Sequence, residues 1–298
     1  VFTTIGDSAG DWYGIRLVRH DASVVIKNCN IEKVINGLEI LSSRIDVFPT
    51  LENLTIQQVS GRGIYINVGT LSPGAQALIK GCVVKKSEGD GIFVSNSREI
   101  RFEGCEASFN KGSGFYIEGS EVIITNSIFK ANKGHGVYGR GGSKITLRGC
   151  TIQDNEMNGV CGDYWDCSLN LENCTIQGNL GRGVSNEYSW GNYRPVTLIN
   201  CTVNSNGGDW GVVGAVTMRN SVVRGNRNGV YHDDGEVTVT DSVIENNGGW
   251  GLYVAGGQAS KDGIKRNMIK GNKRGIGFGG VANPFVGVEG NDIYDNQE

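Results

Sequence analysis

Acids and aromatic rings crowd three short stretches of this 298-residue chain. "GDYWDC" (162–167) holds Asp163, Trp165 and Asp166. "NEYSWGNYRP" (186–195) holds Glu187, Tyr188, Trp190 and Arg194, and "YHDDGE" (231–236) holds Tyr231, His232, Asp233 and Asp234. Of two carboxyl groups held side by side, one has its pKa raised and can donate a proton while the other stays ionised. Such pairs cleave glycosidic bonds, and their separation distinguishes retaining from inverting chemistry. Rings beside them offer apolar faces with a polar edge, a surface on which sugar rings are commonly held. Whether acids so far apart in the chain can meet depends on the elements that carry them.

Composition narrows those elements. With 28 basic and 31 acidic residues the net charge is −3, which gives no electrostatic case for a nucleic-acid partner. No apolar run approaches the ~20 residues of a spanning helix, so membrane insertion is not expected. Gly reaches 47 residues while Pro is only 4, which predicts many tight turns rather than a loose linker. Apolar residues make up 38 %, enough for a narrow core. The short apolar runs are rich in β-branched residues and show no helical period.

The chain repeats itself. Equivalent small or apolar anchors occur at Cys29, Leu54, Cys82, Cys105, Ser127, Cys150, Cys174, Cys201, Ser221, Ser242, Asn267 and Asn291, twelve units spaced 20 to 28 residues apart. An Asn follows five residues later in nine successive units, from Asn110 and Asn132 to Asn272 and Asn296. Gly and an apolar residue come next, as in Gly114-Phe115 and Gly183-Val184. A short alternating run such as "KITLRGC" or "PVTLINC" precedes each anchor. Each unit therefore reads as three strands, two tight corners and one variable loop. The expected fold is all-β: a right-handed, single-stranded parallel β-helix of about 12 coils, each stacked on the last at ~4.8 Å. It spans 1–298 as one domain. Because "VFTTIGDSAG" opens within a repeat and the last unit stops just after Asn296, the natural chain is expected to be longer or to meet another subunit end to end.

Alternation in "KITLRGCTIQDN" points Ile145, Leu147, Cys150 and Ile152 inward. The anchor cysteines exchange with serines along one column, so they are expected to be packing residues rather than reactive ones. Asn at plus five is expected to form a ladder between coils, and the following Gly to take the left-handed conformation of the corner. Cys161 and Cys167 lie outside the anchor column and could close the "GDYWDC" loop with a disulfide. The sequons at Asn53, Asn173 and Asn200 sit beside anchors, where the repeat already accounts for them.

The repeated pattern, together with "GDWYGIRL" at 10–17, resembles the secreted parallel β-helix proteins of the pectate-lyase-like superfamily. The resemblance covers the whole chain. It implies a secreted or cell-surface protein that acts on or adheres to polysaccharide, as lyase, glycoside hydrolase, epimerase or non-catalytic adhesin. The motifs that would choose among these are missing: neither the Asn-Thr-Asp and Arg-Ile-Lys of polygalacturonase-like hydrolases nor the Asp-Pro-His of alginate epimerases occurs. Lyases of this fold use a Lys or Arg base beside calcium-binding acids. Arg140 or Arg194 near Asp163, Asp166 and Glu187 could imitate that arrangement, and calcium would suit such oxygen ligands.

On the strand after each Gly, the second and fourth positions should face solvent. The second position reads Tyr65, Phe93, Tyr116, Tyr138, Cys161, Ser185, Val213, Tyr231, Tyr253, and the fourth reads Asn67, Ser95, Glu118, Arg140, Asp163, Glu187, Ala215, Asp233, Ala255, an outward row rich in rings beside one rich in charges. Asp163 and Glu187 would stand one coil apart, ~5 Å, and Glu187 and Asp233 two coils apart, roughly 10 Å. The eighth coil, "GVVGA", has no loop and lies between decorated coils, so a notch is expected there. The expected function is a carbohydrate-active β-helix that binds polysaccharide along this face and could cleave it at the notch. The catalytic candidates are Asp163, Glu187, His232, Asp233, Asp234 and Arg140, and the binding candidates Tyr116, Tyr138, Trp165, Asp166, Tyr188, Trp190, Arg194 and Tyr231. The rival expectation is a non-catalytic surface, adhesive or structural module.

Overall fold

The computed structural model describes residues 12–18, 24–72, 75–163, 167–186, 195–233, 235–256, 258–279 and 287–297. The chain is an all-β parallel solenoid of about 11 turns with about 23 residues per turn. Twelve anchors bound eleven intervals, which is why full turns number one fewer than anchor units. Two compact units divide it, Val1–Thr151 and Ile152–Glu298.

Each coil has three faces. In unit 1 one coil runs through Ile92–Ser95 on the first face, Ile100–Glu103 on the second and Glu106–Ser108 on the third. Its strands pair in parallel and in register with the next coil, Ile92 beside Phe115, Ile100 beside Val122 and Ala107 beside Phe129. Unit 2 repeats the arrangement with Val184–Asn186, Pro195–Ile199 and Thr202–Asn204. Register makes like positions stack, so one inward residue per strand becomes a column. Ile145, Leu147, Cys150 and Ile152 are all buried, as their alternation predicts.

Two polar columns tie coils together. The anchor serines and asparagines accept backbone N–H groups from the preceding coil. Cys105 N donates to Ser127 Oγ at 3.0 Å, Cys201 N to Ser221 Oγ at 3.0 Å and Ser242 N to Asn267 Oδ1 at 3.0 Å. The anchor thiols donate to carbonyls, as Cys105 Sγ does to Glu103 O. At plus five, Asn110 Nδ2 donates to Asn132 Oδ1 at 2.9 Å, and in unit 2 the chain Asn155, Asn179, Asn206 continues at 2.8 and 2.9 Å. Every rung satisfies amide groups held away from water, where an unmade bond would cost about 1–3 kcal/mol.

The corners are not built as expected. Left-handed residues occur at two sites per coil: just before the anchor (Asn53, Gly104, Asn173, Asn200) and just before the ladder Asn (Phe109, Ala131, Asp154, Ser205). Asn and Asp tolerate that conformation, which explains the Asn-Cys pairs. The Gly that follows the ladder is required for another reason, close approach of the next coil. A Cβ on Gly114 would lie 2.7 Å from Asn132 Nδ2 and 2.8 Å from Gly136 O, and one on Gly183 only 2.5 Å from Val203 Cγ1.

Candidate functional site

Where a coil carries a loop between the first and second faces, the chain departs from the repeat there, as after Asp163 and Asn186. In unit 1 the outward row Tyr65, Phe93, Tyr116 and Tyr138 forms one continuous stack, with ring centroids 5.1, 4.7 and 5.1 Å apart and planes 20°, 27° and 15° from parallel. This changes how the row can bind. Ring faces are turned toward each other, so solvent meets edges and phenol hydroxyls, and Phe93 is only 4 % exposed. Arg62 lies over Phe93 with its guanidinium carbon 3.9 Å from the ring centroid, close enough for a cation–π contact. His135 stacks on Tyr138 at 4.9 Å.

Polar partners fix the hydroxyls. Arg140 donates from a terminal nitrogen to Tyr116 Oη at 3.4 Å, and its Nε lies 3.4 Å from Glu118 Oε1. Burial pushes the Tyr116 phenol above its ordinary range against the opposing pull of Arg140. Asn67 Nδ2 donates to Tyr65 Oη at 3.3 Å, which also lies 3.3 Å from Ser95 Oγ. Glu39, 5 % exposed, accepts from Tyr13 at 3.1 Å and from Asn36 at 3.0 Å. A cavity of about 420 Å³ opens here between Glu39, Asn36, Arg62, Tyr65 and Asp90. Burial raises the Asp90 carboxyl, although its Oδ1 accepts Ser113 N at 2.8 Å.

In unit 2 the same outward position is closed over three coils, where Cys161, Ser185 and Val213 are buried. The solvent-facing row expected there is therefore interrupted. Burial drives the Cys161 thiol up to about 12, and Cys161 and Cys167 are both free, so the expected disulfide is not formed. The rings return further along. Tyr231 packs against Trp210 at 5.1 Å and Tyr253 at 5.9 Å, and Trp250 leans on Tyr253 at 5.2 Å.

The loopless eighth coil is present as Val212–Arg219, one strand of 8 residues that runs from first face to second. Gly214, at φ +153°, makes the bend. The backbone N–H of Val216 then donates to Nδ1 of His232 at 2.9 Å. His232 is wholly buried, which removes it from the reactive face: it completes a corner of the core. Asn186 (1 % exposed) donates to Cys167 O at 3.0 Å and Pro195 O at 2.9 Å, pinning the chain just after the first decorated loop and on both sides of the second.

Of the remaining candidates, Arg140 is exposed on the first face of unit 1, while Asp163 and Asp233 are half-buried at the first-face strand ends of unit 2. Glu187, Asp234, Trp165, Asp166, Tyr188, Trp190 and Arg194 lie outside the described residues. Among the described residues no three His, Cys, Asp or Glu side chains gather into a metal-binding group.

A second column of irregular residues escaped the sequence reading. The residue just before the repeat Gly (Arg62, Asp90, His135, Arg182, Trp210, Trp250 and Arg274) packs beside the ring row. Short polar members accept the next coil's N–H at the same position, as Asn158 Oδ1 does from Arg182 N and Asn228 Oδ1 from Trp250 N, both at 2.8 Å. Arg62, His135, Trp210, Trp250 and Arg274 lie against rings, while Arg182 pairs with Asp209. A fixed offset from the Gly was the available signal, hidden by the variety of residue types.

Comparison with known proteins agrees with this architecture. The model of the right-handed β-helix region matches residues 70–214 and 210–298. The chain belongs to the right-handed β-helix family. Among solved structures, this right-handed β-helix is similar to the A-module of the Azotobacter vinelandii mannuronan C-5 epimerase AlgE6, at 17 % identity and TM-score 0.53, over 96 % of this chain and 76 % of that one. The A-module of AlgE4 from the same organism aligns at 17 % identity and TM-score 0.46, over 98 % of this β-helix and 86 % of that chain. At this identity the likeness is one of fold. No curated protein sequence matches the chain.

Proposed function

We propose that this β-helix is a carbohydrate-binding protein that holds an extended polysaccharide along its first face. One observation carries the reading: the unbroken stack Tyr65–Phe93–Tyr116–Tyr138, whose hydroxyls are oriented by Arg140, Glu118, Asn67 and Ser95. Rings locked against each other lose little further entropy on binding, and a regular array of donors and acceptors along parallel coils suits a polymer with repeating hydroxyls. Arg62 adds an outward cation, and among the described residues no carboxylate pairs with it at salt-bridge distance. The AlgE6 module named above is a mannuronan epimerase, which is compatible with a polysaccharide ligand here. Such a ligand implies a secreted or cell-surface setting. The proposal is one of binding, the property that the ring stack supports.

A glycan array probed with the whole chain tests this reading. The expected result is binding to at least one polysaccharide class, weakened in Tyr116→Ala and Tyr138→Ala with the fold retained by circular dichroism. Absence of any glycan ligand, or binding indifferent to both variants, would reject it.

A further inference from the structure

We infer that the ring cluster on the first face of unit 2, formed by Trp210, Tyr231, Trp250 and Tyr253, is a subsite for an uncharged sugar ring. The inference rests on the carbohydrate reading of the first face and specifies the ligand at one part of it. Ring geometry is the first support. In unit 1 the planes lie within 27° of parallel and cover each other. Here Tyr231 and Tyr253 still stack at 26°, but Trp210 meets Tyr231 at 61° and Trp250 meets Tyr253 at 49°, so the two indole faces diverge from the stack. Diverging faces can receive the C–H face of a pyranose, which parallel stacked rings cannot.

The floor is cut to fit the rings. At the outward positions of the next coil, where other coils carry large side chains, stand Gly277 and Gly279. A Cβ on Gly277 would come within 2.6 Å of Trp250 Cζ3 and 2.7 Å of Tyr253 Cδ2. One on Gly279 would lie 2.4 Å from Tyr253 Oη. Both rings therefore lie across this coil, and any side chain there would lift them.

Charge decides the ligand class. The carboxylate of Asp209 is held by Arg182 through two contacts, Nε at 2.5 Å and a terminal nitrogen at 2.9 Å. Arg274 stands over Trp250 at 5.1 Å, and neither it nor Asp233 lacks a partner. Among the described residues of the cluster, Asp209 and Arg182 therefore pair with each other, and Arg274 is engaged with the Trp250 ring. A carboxylate laid on the ring faces would lose hydration against apolar surface, whereas a neutral ring would exchange only water for apolar contact. Phenol and indole groups at the rim supply hydrogen bonds for its hydroxyls.

The test titrates the whole chain with neutral β-1,4-linked glucose and mannose oligosaccharides and, separately, with oligomannuronate. Binding is read by tryptophan fluorescence and calorimetry. We expect saturable binding of a neutral oligosaccharide, weakened roughly tenfold or more by Trp250→Ala and largely kept by Trp250→Tyr. Gly277→Leu, which fills the floor, should weaken it as well. If only oligomannuronate binds, or if neutral sugars bind equally well to Trp250→Ala and Gly277→Leu, the inference falls while the carbohydrate reading stands. Absence of binding to every oligosaccharide and to the glycan array overturns both.

Discussion

The two units wind the same coil but fill its first-face interior differently. In unit 1 the inward column reads Ile40, Ile66, Val94, Ile117, neighbours in register and wholly buried. Phe115 packs edge-on between Phe102 and Phe129 at 4.7 and 5.8 Å. In unit 2 the equivalent positions begin with Gly162, Asn186, Gly214 and His232, after which Val254 restores a buried apolar residue. Asn186 and His232 are just as buried, yet they spend their polar atoms on backbone groups where loops leave or a loop is missing. Apolar filling serves a face that is regular from coil to coil. Polar filling serves corners that depart from the repeat, because irregular backbone needs partners that the strand ladder no longer provides.

The outer surface follows the same division. Unit 1 presents a ruler of parallel rings, edge-on. Unit 2 closes the row over three coils and then opens a tilted cluster. The regular region is rigid because identical neighbours stack; the irregular region is specific because its side chains have no such neighbours.

Substitutions can break this comparison. The largest effect should come from Phe115→Ala in unit 1, a cavity among aromatic and aliphatic side chains that destabilises by about 3–5 kcal/mol in urea unfolding. A smaller loss is expected for His232→Phe, which keeps volume but leaves Val216 N–H unsatisfied, about 1–3 kcal/mol. If His232→Phe were neutral, the imidazole would be filler and the contrast between the two columns would fail.

Asp90→Asn should act in the opposite direction. Burial raises this carboxyl, so the folded state binds its proton more tightly than the unfolded chain does. Its contribution is complete below the ordinary carboxylate pKa of about 4 and is lost as pH rises through the folded value. At neutral pH the charged form is a burden. The Asn amide can still accept Ser113 N–H, as Asn158 and Asn228 accept theirs. Thermal midpoints should therefore be higher for Asp90→Asn at pH 7, with the gain disappearing near pH 3. A uniform shift across pH would contradict the assignment.

The smallest effect belongs to Arg182→Ala. The Arg182 guanidinium, through hydrogen bonds first and charge second, holds the half-exposed Asp209 carboxyl below its usual range. A lowered carboxyl stabilises above its ordinary pKa and loses that contribution as pH falls through the depressed value. Exposure limits the pair to about 0–1 kcal/mol at neutral pH. The difference between Arg182→Ala and the parent should shrink on acidification, the reverse of the trend for Asp90→Asn.

Much of the fold is legible in the sequence because stacking imposes it: whatever holds one coil to the next must recur in every coil. That logic locates the anchor column, the Asn ladder and the loopless eighth coil. It does not distinguish why a Gly recurs. A recurring Gly looks the same whether it adopts positive φ or merely yields space, and only the 2.7 Å approach of Asn132 Nδ2 to a Cβ on Gly114 separates the two. Alternation shows that Tyr116 and Tyr138 point outward but not that each covers its neighbour's face. It also turns His232 inward once Tyr231 faces out; the adjoining acids in "HDD" drew it into the expected site. The column before the Gly stayed hidden because Arg62, Trp210 and Trp250 share a place rather than a type.

The most direct test of the central claim is a crystal structure of the whole chain soaked with an oligosaccharide that it binds. Sugar density along the first face, on the edges of Tyr65, Tyr116 and Tyr138 or on the tilted rings of Trp250 and Tyr253, is the predicted result. Density confined to the second or third face, with the first-face rings bare, would contradict it.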